Sequence, residues 1–225
     1  MDCLKINEVE LSINHFEETV AFYKEKFCFK QLKNEKHCAS LQVGESILTL
    51  RKEDMHDYFY HFAFNIHANL FNEAKAWLAS KVALATEDGE DEIEFQEFMK
   101  AKACYFEDPA GNIVELIARK ETSPMSSQKD FSPTENILSI SEIGFATNEI
   151  KEYAENIQRL GIPVRYQQKL NEEKYLNFFG EYEEGAFIIL SPLGRNWLFS
   201  KKTAKEAPLV IHTNRGILRT TNKIY

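Results

Sequence analysis

The chain offers little to several familiar chemistries. No run approaches the roughly 20 apolar residues that a membrane-spanning helix requires. The start, MDCLKINEVELSINHFEE, has no apolar core behind a basic segment, so it does not resemble a signal peptide. Cysteine is scarce: Cys3, Cys28, Cys38 and Cys104 show no CxxC spacing. Lying on or beside apolar strands, they are expected to be buried free thiols in a reducing cytoplasm rather than a disulfide frame or a zinc site. GxGxxG, the GxxxxGK phosphate loop, HExxH and GxSxG are all missing, which leaves dinucleotide, P-loop and common hydrolase readings without support. Positive charge is short too. The net charge is -8, and an acidic chain repels phosphate backbones. Seven acids crowd EDGEDEIEFQE, residues 87–97, whereas residues 195–225 hold seven Lys or Arg against Glu206 alone. That basic tail lacks interleaved aromatics, so no nucleic-acid partner is expected. Both patches read as solvated surface, with the tail able to pack on the acidic loop of its own or a second chain.

What is present is a core and a repeat. At 225 residues, 44% hydrophobic with 17 Phe, the chain can bury a substantial interior. Three segments follow one plan of strand, amphipathic helix and further strands. The first runs LKINEVELSIN, HFEETVAFYKEKF, CASLQV and SILTLRK, with Phe16, Val20, Tyr23 and Phe27 as a helical stripe and Asn14 with Glu17 in capping-box spacing. The second begins at YHFAFNIHA, carries Leu70, Ala74, Trp77 and Leu78 on its helix, and ends in KACYFED and NIVELIA around a DPAGN turn. The third comprises ILSISEIGFAT, a helix with Ile150, Ala154, Ile157 and Leu160 that Gly161 should terminate, then PVRYQQ, YLNFFG and AFIILS. The fold class is therefore α+β, built from βαβββ modules. One module cannot cover both its helix and its sheet, so modules must pair. Residues 1–120 are expected to form a two-module domain with a curved mixed sheet, 121–136 a linker, and 137–225 a third module with its basic tail. The third module needs cover, either from the run PLVIHTN or from a second chain as a homodimer.

Strand parity concentrates polar groups on one side, because residues two apart share a face. Val9, Leu11 and Ile13 oppose Glu8, Glu10 and Ser12. Leu48 and Leu50 oppose Ile47, Thr49 and Arg51. Phe62, Phe64 and Ile66 oppose His61, Ala63 and Asn65, and Val114, Leu116 and Ala118 oppose Ile113, Glu115 and Ile117. If the apolar faces meet the helices, the other faces gather Glu8, Glu10, Thr49, Arg51, His61, Asn65 and Glu115 in one concave surface. Carboxylates removed from water cost several kcal/mol apiece unless a positive charge sits among them. A divalent metal held by Glu8, His61 and Glu115 supplies one. The metal-free rival is Arg51 paired with Glu8 or Glu115. Tyr105 and Phe106 read as core, and GRNWLFS, 194–200, as a seal on a sheet edge rather than a cap on a pocket.

These segments resemble the vicinal oxygen chelate superfamily, which includes glyoxalase I, fosfomycin and bleomycin resistance proteins and extradiol dioxygenases. INEVELSINHFEETVAFYKEKFCF, HFAFNI and especially YFEDPAGNIVELIAR carry the resemblance over residues 4–119. It implies a divalent metal (Mn, Fe, Ni or Zn) chelating two neighbouring oxygens of a small-molecule substrate, in isomerase, lyase or dioxygenase chemistry. Carried over by position, Glu8, His61 and Glu115 are the metal ligands, with Glu115 or Glu8 doubling as a catalytic base. Thr49 stands where glyoxalases place a further ligand, and Thr49, Arg51 and Asn65 line the pocket. The third module lacks the DPxGN ending, and its Glu142, aligned with Glu8 and His61, reads as a remnant or a hydrogen-bonding residue. A metal-free binding protein of the same fold is the alternative.

Overall fold

A computed structural model describes residues 3–96 and 100–220, so Glu97 of the acidic run and Lys223 of the basic tail lie outside the described residues. The first module comprises β1 (Ile6–Ile13), α1 (Phe16–Glu25), β2 (Gln31–Glu35), β3 (Cys38–Val43) and β4 (Ser46–Lys52). The second comprises β5 (His61–Ile66), α2 (Phe71–Ala79), β6 (Ile93–Phe95), β7 (Ala101–Glu107) and β8 (Ile113–Arg119). A short α3 (Pro133–Asn136) leads into the third: β9 (Ile137–Ala146), α4 (Ile150–Arg159), β10 (Asn177–Phe179) and β11 (Phe187–Ser191), followed by the hairpin β12 (Leu209–Thr213) and β13 (Gly216–Arg219). In each module the first strand runs parallel to the last, β1 with β4, β5 with β8 and β9 with β11. That shared pairing is the structural form of the repeat. The segment PVRYQQ contributes only a bridge, Val164 to Phe179, before a short 3-10 turn, so the third module is one strand shorter than its sequence promises.

The modules pair in a different order from the expected one. One sheet has the order β13-β12-β1-β4-β3-β2 and the other β10-β11-β9-β5-β8-β7-β6. Strand β5 joins β9 antiparallel, so the second module closes on the third, while β12 from PLVIHTN joins β1 and covers the first. The sheet pairing therefore crosses the expected division at residue 120. Residues 121–136 are pinned rather than slack: Ser123 Oγ donates to Asn65 Oδ1 at 2.8 Å, and Asn69 exchanges hydrogen bonds with the Ser126 backbone at 2.8 and 3.1 Å.

A shared helix explains the order. Phe16, Val20 and Tyr23 of α1 are buried, but so is Phe22, off that stripe. Phe22 reaches Phe106, and Phe27, just past the helix, packs on Phe64, Phe106 and Trp77 of the second module, ring centroids 5.1–6.1 Å apart. The helix thus fills the space between two sheets instead of covering one, and a single apolar core runs from Leu4 to Leu218. Parity holds: Val9, Leu11, Ile13, Leu48, Leu50, Phe62, Phe64, Ile66, Val114, Leu116 and Ala118 all face this core. Two local expectations change. His15, not Asn14, occupies the start of α1 in a left-handed conformation, with Asn14 Nδ2 donating to Asp57. Cys3 and Cys28 are exposed, and Cys38 and Cys104 buried. Gly161 ends α4 with φ 75° and its N–H on the Gln158 carbonyl, as the αL stop requires. Among the described residues no helix is long and apolar enough to cross a membrane.

Candidate functional site

Because the core takes one face of each strand, the polar parity faces the opposite way, in two separate cups. In the first, Thr49 Oγ1 donates to Glu8 Oε1 at 2.5 Å and shares a hydrogen bond with Ser40 Oγ at 2.8 Å. Arg51 Nε donates to Glu10 Oε2 at 2.8 Å, and His212 Nε2 lies 2.7 Å from Glu10 Oε1. Glu8, Thr49 and Arg51 are therefore together, but not with His61. The pairing of β5 with β9 puts Glu142, two residues before Gly144 opposite His61, in the place expected for Glu8.

The second cup is where His61 and Glu115 meet. Strand β5 starts at His61, and β8 runs beside it with Ala63 opposite Glu115. His61, Glu115 and Glu142 are buried, and among the described residues they form the group whose ligand atoms lie within 4.8 Å of one another. His61 Nδ1 is 3.1 Å from the Ile113 carbonyl. That acceptor fixes the proton on Nδ1 and leaves the Nε2 lone pair aimed at the acids, 3.6 Å from Glu115 Oε2 and 4.0 Å from Glu142 Oε2. Burial holds His61 below its ordinary pKa, so the ring is neutral. Burial first, then the neighbouring Glu142, pushes the Glu115 carboxyl well above the usual carboxylate range, against the opposing pull of Arg119 and the Tyr105 hydroxyl. Tyr105 is raised in turn by burial and by both acids.

Glu142 has a cation. Arg119, the last residue of β8 and 2% exposed, directs Nη2 at Glu142 Oε1. Its Nη1 donates to Ser141 Oγ at 3.0 Å and Asn65 Oδ1 at 3.2 Å. Asn65 thus accepts from Arg119 and Ser123 and positions the guanidinium; it is not a donor into the cavity. That guanidinium pairs with Glu142, and among the described residues no Lys or Arg bonds Glu115. A lone-pair nitrogen and carboxylate oxygens in mutual reach, with no hydrogen between them, fit a divalent ion, since contraction to about 3 Å brings each within roughly 2.1 Å of a common point. The donor set therefore fits a metal.

The cavity over this cluster measures about 50 Å³ and is lined by Phe95, Tyr105, Phe178, Arg195, Trp197 and Leu198 among others. Tyr105 is core, as expected, but of a second apolar cluster that also forms this wall, whereas Phe106 packs in the core shared with α1. The segment GRNWLFS caps the cup instead of sealing a sheet edge. Trp197 lies 5.2 Å from the His61 ring, and Phe199 stacks on Tyr105 at 4.7 Å. Small floor residues Ala63, Ala101, Ala103 and Ala146 leave room for these rings. A Cβ at Gly144 would stand 2.7 Å from the Trp197 ring, so glycine is required there. The arm is tied down by a bridge between Asn196 and Thr203, by Phe199 N–H on Glu87 Oε2 at 3.0 Å, and by Lys202 Nζ on Glu107 and the Gly111 carbonyl at 2.8 and 2.6 Å. A space of this size admits an ion and a few waters; a small-molecule site of about 300 Å³ or more requires the arm to shift.

Two βαβββ modules and a third that is one strand shorter, wrapped into curved sheets, define a vicinal-oxygen-chelate fold. The model of the Glyoxalase/Bleomycin resistance protein/Dioxygenase superfamily matches residues 5–116, and the chain belongs to that superfamily. Residues 140–195, the third module, match a second model, the toxoflavin-degrading enzyme family. Glyoxalase I from Zea mays is similar over 94% of this chain and 75% of its own at 16% identity and TM-score 0.56. A structure from Bacillus subtilis subsp. subtilis str. 168 covers 92% of this chain and 67% of its own at 14% identity and TM-score 0.59. An integron cassette protein from the Halifax Harbour sewage outfall metagenome is 26% identical over 50% of this chain and 97% of its own, with TM-score 0.43. No curated protein sequence matches.

Proposed function

We propose that the His61–Glu115–Glu142 cup binds one divalent metal ion and acts as a metal-dependent enzyme on a small molecule presenting two neighbouring oxygens. The observation that carries this reading is the Nε2 of His61, freed by the Nδ1 contact to the Ile113 carbonyl and facing two buried carboxylates of which Arg119 pairs only with Glu142. A bound ion supplies Lewis-acid stabilisation of charge developing on substrate oxygens. The chain's own groups do the rest. Arg119 and Asn65 hold Glu142 in place, and the Ile113 carbonyl orients His61. Glu115, once displaced from the ion, is placed to take a proton from a substrate carbon or hydroxyl and return it, with the Tyr105 hydroxyl beside it. Trp197 and Phe199 shed water from the closed cup. Glu8, in the other cup, has no part in this chemistry.

The Arg119–Glu142 pair favours a second reading. With Glu142 neutralised by Arg119, no ion is needed to offset it, and the cup serves as a metal-free small-molecule binder. Elemental analysis of protein purified without added metal separates the two. Near-stoichiometric Mn, Fe, Ni or Zn that is lost in His61→Ala supports the enzyme; a metal-free protein whose Mn2+ uptake is unchanged by His61→Ala removes it.

A further inference from the structure

The cavity that holds the metal ligands also contains a cation with nothing to neutralise it. Arg195 lies at the base of the arm, its backbone fixed by Gly194 N–H on the Ala204 carbonyl at 2.9 Å and Ala204 N–H on its own carbonyl at 2.7 Å. Its Nη1 donates only to the Asn196 carbonyl, at 2.8 Å, and among the described residues it makes no ion pair. Glu87 is the acid whose field reaches it, but that carboxylate already accepts the Phe199 N–H. Burial lowers the Arg195 pKa, and its charge in turn lowers that of His61, so the two groups are close. Behind the Phe178 wall stands a second guanidinium, Arg165, stacked 4.0 Å from that ring with Nε and Nη1 buried and unbonded.

Charge balance then points to the missing group. With Glu142 answered by Arg119, a divalent ion over Glu115 leaves one positive charge, and Arg195 adds another on the same cavity. A half-buried guanidinium costs free energy unless an anion or acceptor meets it. The remaining walls, Phe95, Tyr105, Phe178 and Trp197, are flat and apolar. Resting on the metal reading above, we propose that the substrate is a planar molecule carrying an acid group in addition to its two chelating oxygens, and that Arg195 receives this acid group. Arg195 is thus a specificity residue, carried on the same arm that must move for entry.

The test uses the full chain loaded with Mn2+ under argon and titrated with two chelating probes, catechol and 3,4-dihydroxybenzoate, which differ by one carboxylate. Wild type is expected to prefer the acid-bearing probe by at least about tenfold, the scale of one charge-assisted hydrogen bond. Arg195→Gln should abolish the preference while the variant still takes up Mn2+ and still binds catechol, and Arg195→Lys should restore part of the preference. Equal affinity for both probes in the Mn2+-loaded wild type, binding of neither, or a preference that survives Arg195→Gln overturns the proposal alone. Failure of wild type to take up Mn2+ overturns the metal reading, and the proposal with it.

Discussion

Arg119→Met isolates the electrostatics of the cup. The side chain is 2% exposed and carries the charge that answers Glu142, together with hydrogen bonds to Ser141 and Asn65. Removing one partner of such a pair leaves an uncompensated buried ion and costs about 3–5 kcal/mol. For a chain of this size, at roughly 2–4 °C per kcal/mol, Tm should fall by about 6–20 °C. The loss should deepen with pH. Without the guanidinium that opposes the shift, the Glu115 carboxyl stands further above its unfolded value, so its contribution is intact below the unfolded pKa and disappears as pH rises through the folded one. Mn2+ should bind the variant at least as tightly as wild type, because the cluster has gained a net negative charge. At 100 times Kd the ion returns about 2.7 kcal/mol. The double variant Arg119→Met with Glu142→Leu should regain most of the stability, since apolar groups often replace a buried pair without loss, while losing Mn2+ binding. Urea denaturation at pH 5 and pH 8, with and without Mn2+, reads all four quantities. A single variant within about 1 kcal/mol of wild type, or a double variant no more stable than the single, refutes the reasoning.

Glu8→Gln should leave Mn2+ affinity unchanged and Glu142→Gln should weaken it, as isothermal titration can measure; the reverse pattern would return the metal to the first cup. Trp197→Ala removes the roof over His61, so EDTA should strip Mn2+ faster from the variant in stopped-flow, and an equal rate would show that the arm does not gate the site. Burial alone would raise the Glu10 pKa, but hydrogen bonds from His212 and Arg51 outweigh it and hold the carboxyl below its ordinary 4.5. The stability Glu10 contributes is present above that value and lost as pH falls through the depressed one, so Glu10→Gln should flatten the acid limb of the denaturation profile below about pH 4.5; parallel limbs would contradict this. Burial pushes the Cys104 thiol up to about 12, and Cys38 is buried as well. DTNB should therefore titrate Cys3 and Cys28 in the native protein and all four thiols after unfolding; a native count of four would place Cys38 and Cys104 within reach of reagent.

Much of this arrangement is written in local pattern. Alternation in HFAFNI and NIVELIA assigned His61 and Glu115 to the side away from the helices, and they are there, because a one-residue slip would turn Phe62, Phe64, Val114 and Leu116 out of the core. The aligned position of Glu142 in SEIGFAT was visible too. What it lacked in the sequence was companions, since the DPxGN ending belongs to β8 and not to β11. Arg119, one turn of the strand pattern beyond Glu115 and Ile117, was hidden for a different reason. A strand-terminal Arg before a polar segment usually points to water, and this one lies inside because Ser141 and Glu142 accept its hydrogen bonds and Phe187 stands 5.9 Å from its guanidinium. The role of Trp197 was legible only as an oddity of composition, because a loop that returns over a cup obeys no period.

The partner of each module was the step that alternation could not decide, for parity belongs to a single strand whereas pairing belongs to its edge. The off-stripe Phe22 was the available sign that α1 serves two sheets. Its consequence reaches the chemistry. Where β12 completes the first cup, His212 and Arg51 both meet Glu10, and the half-buried Glu8 takes the Thr49 hydroxyl, so the acids there are answered by the chain itself. Where β9 completes the second cup, it brings another carboxylate, Glu142, to Glu115; Arg119 pairs with Glu142, and among the described residues no Lys or Arg bonds Glu115. Both cups come from the same module plan and carry a first-strand ligand type, yet among the described residues only the second sets two buried carboxylates beside a buried imidazole. The order in which strand edges meet therefore decides which cup gathers a His, Glu, Glu donor set, and it does so before any ligand or substrate arrives.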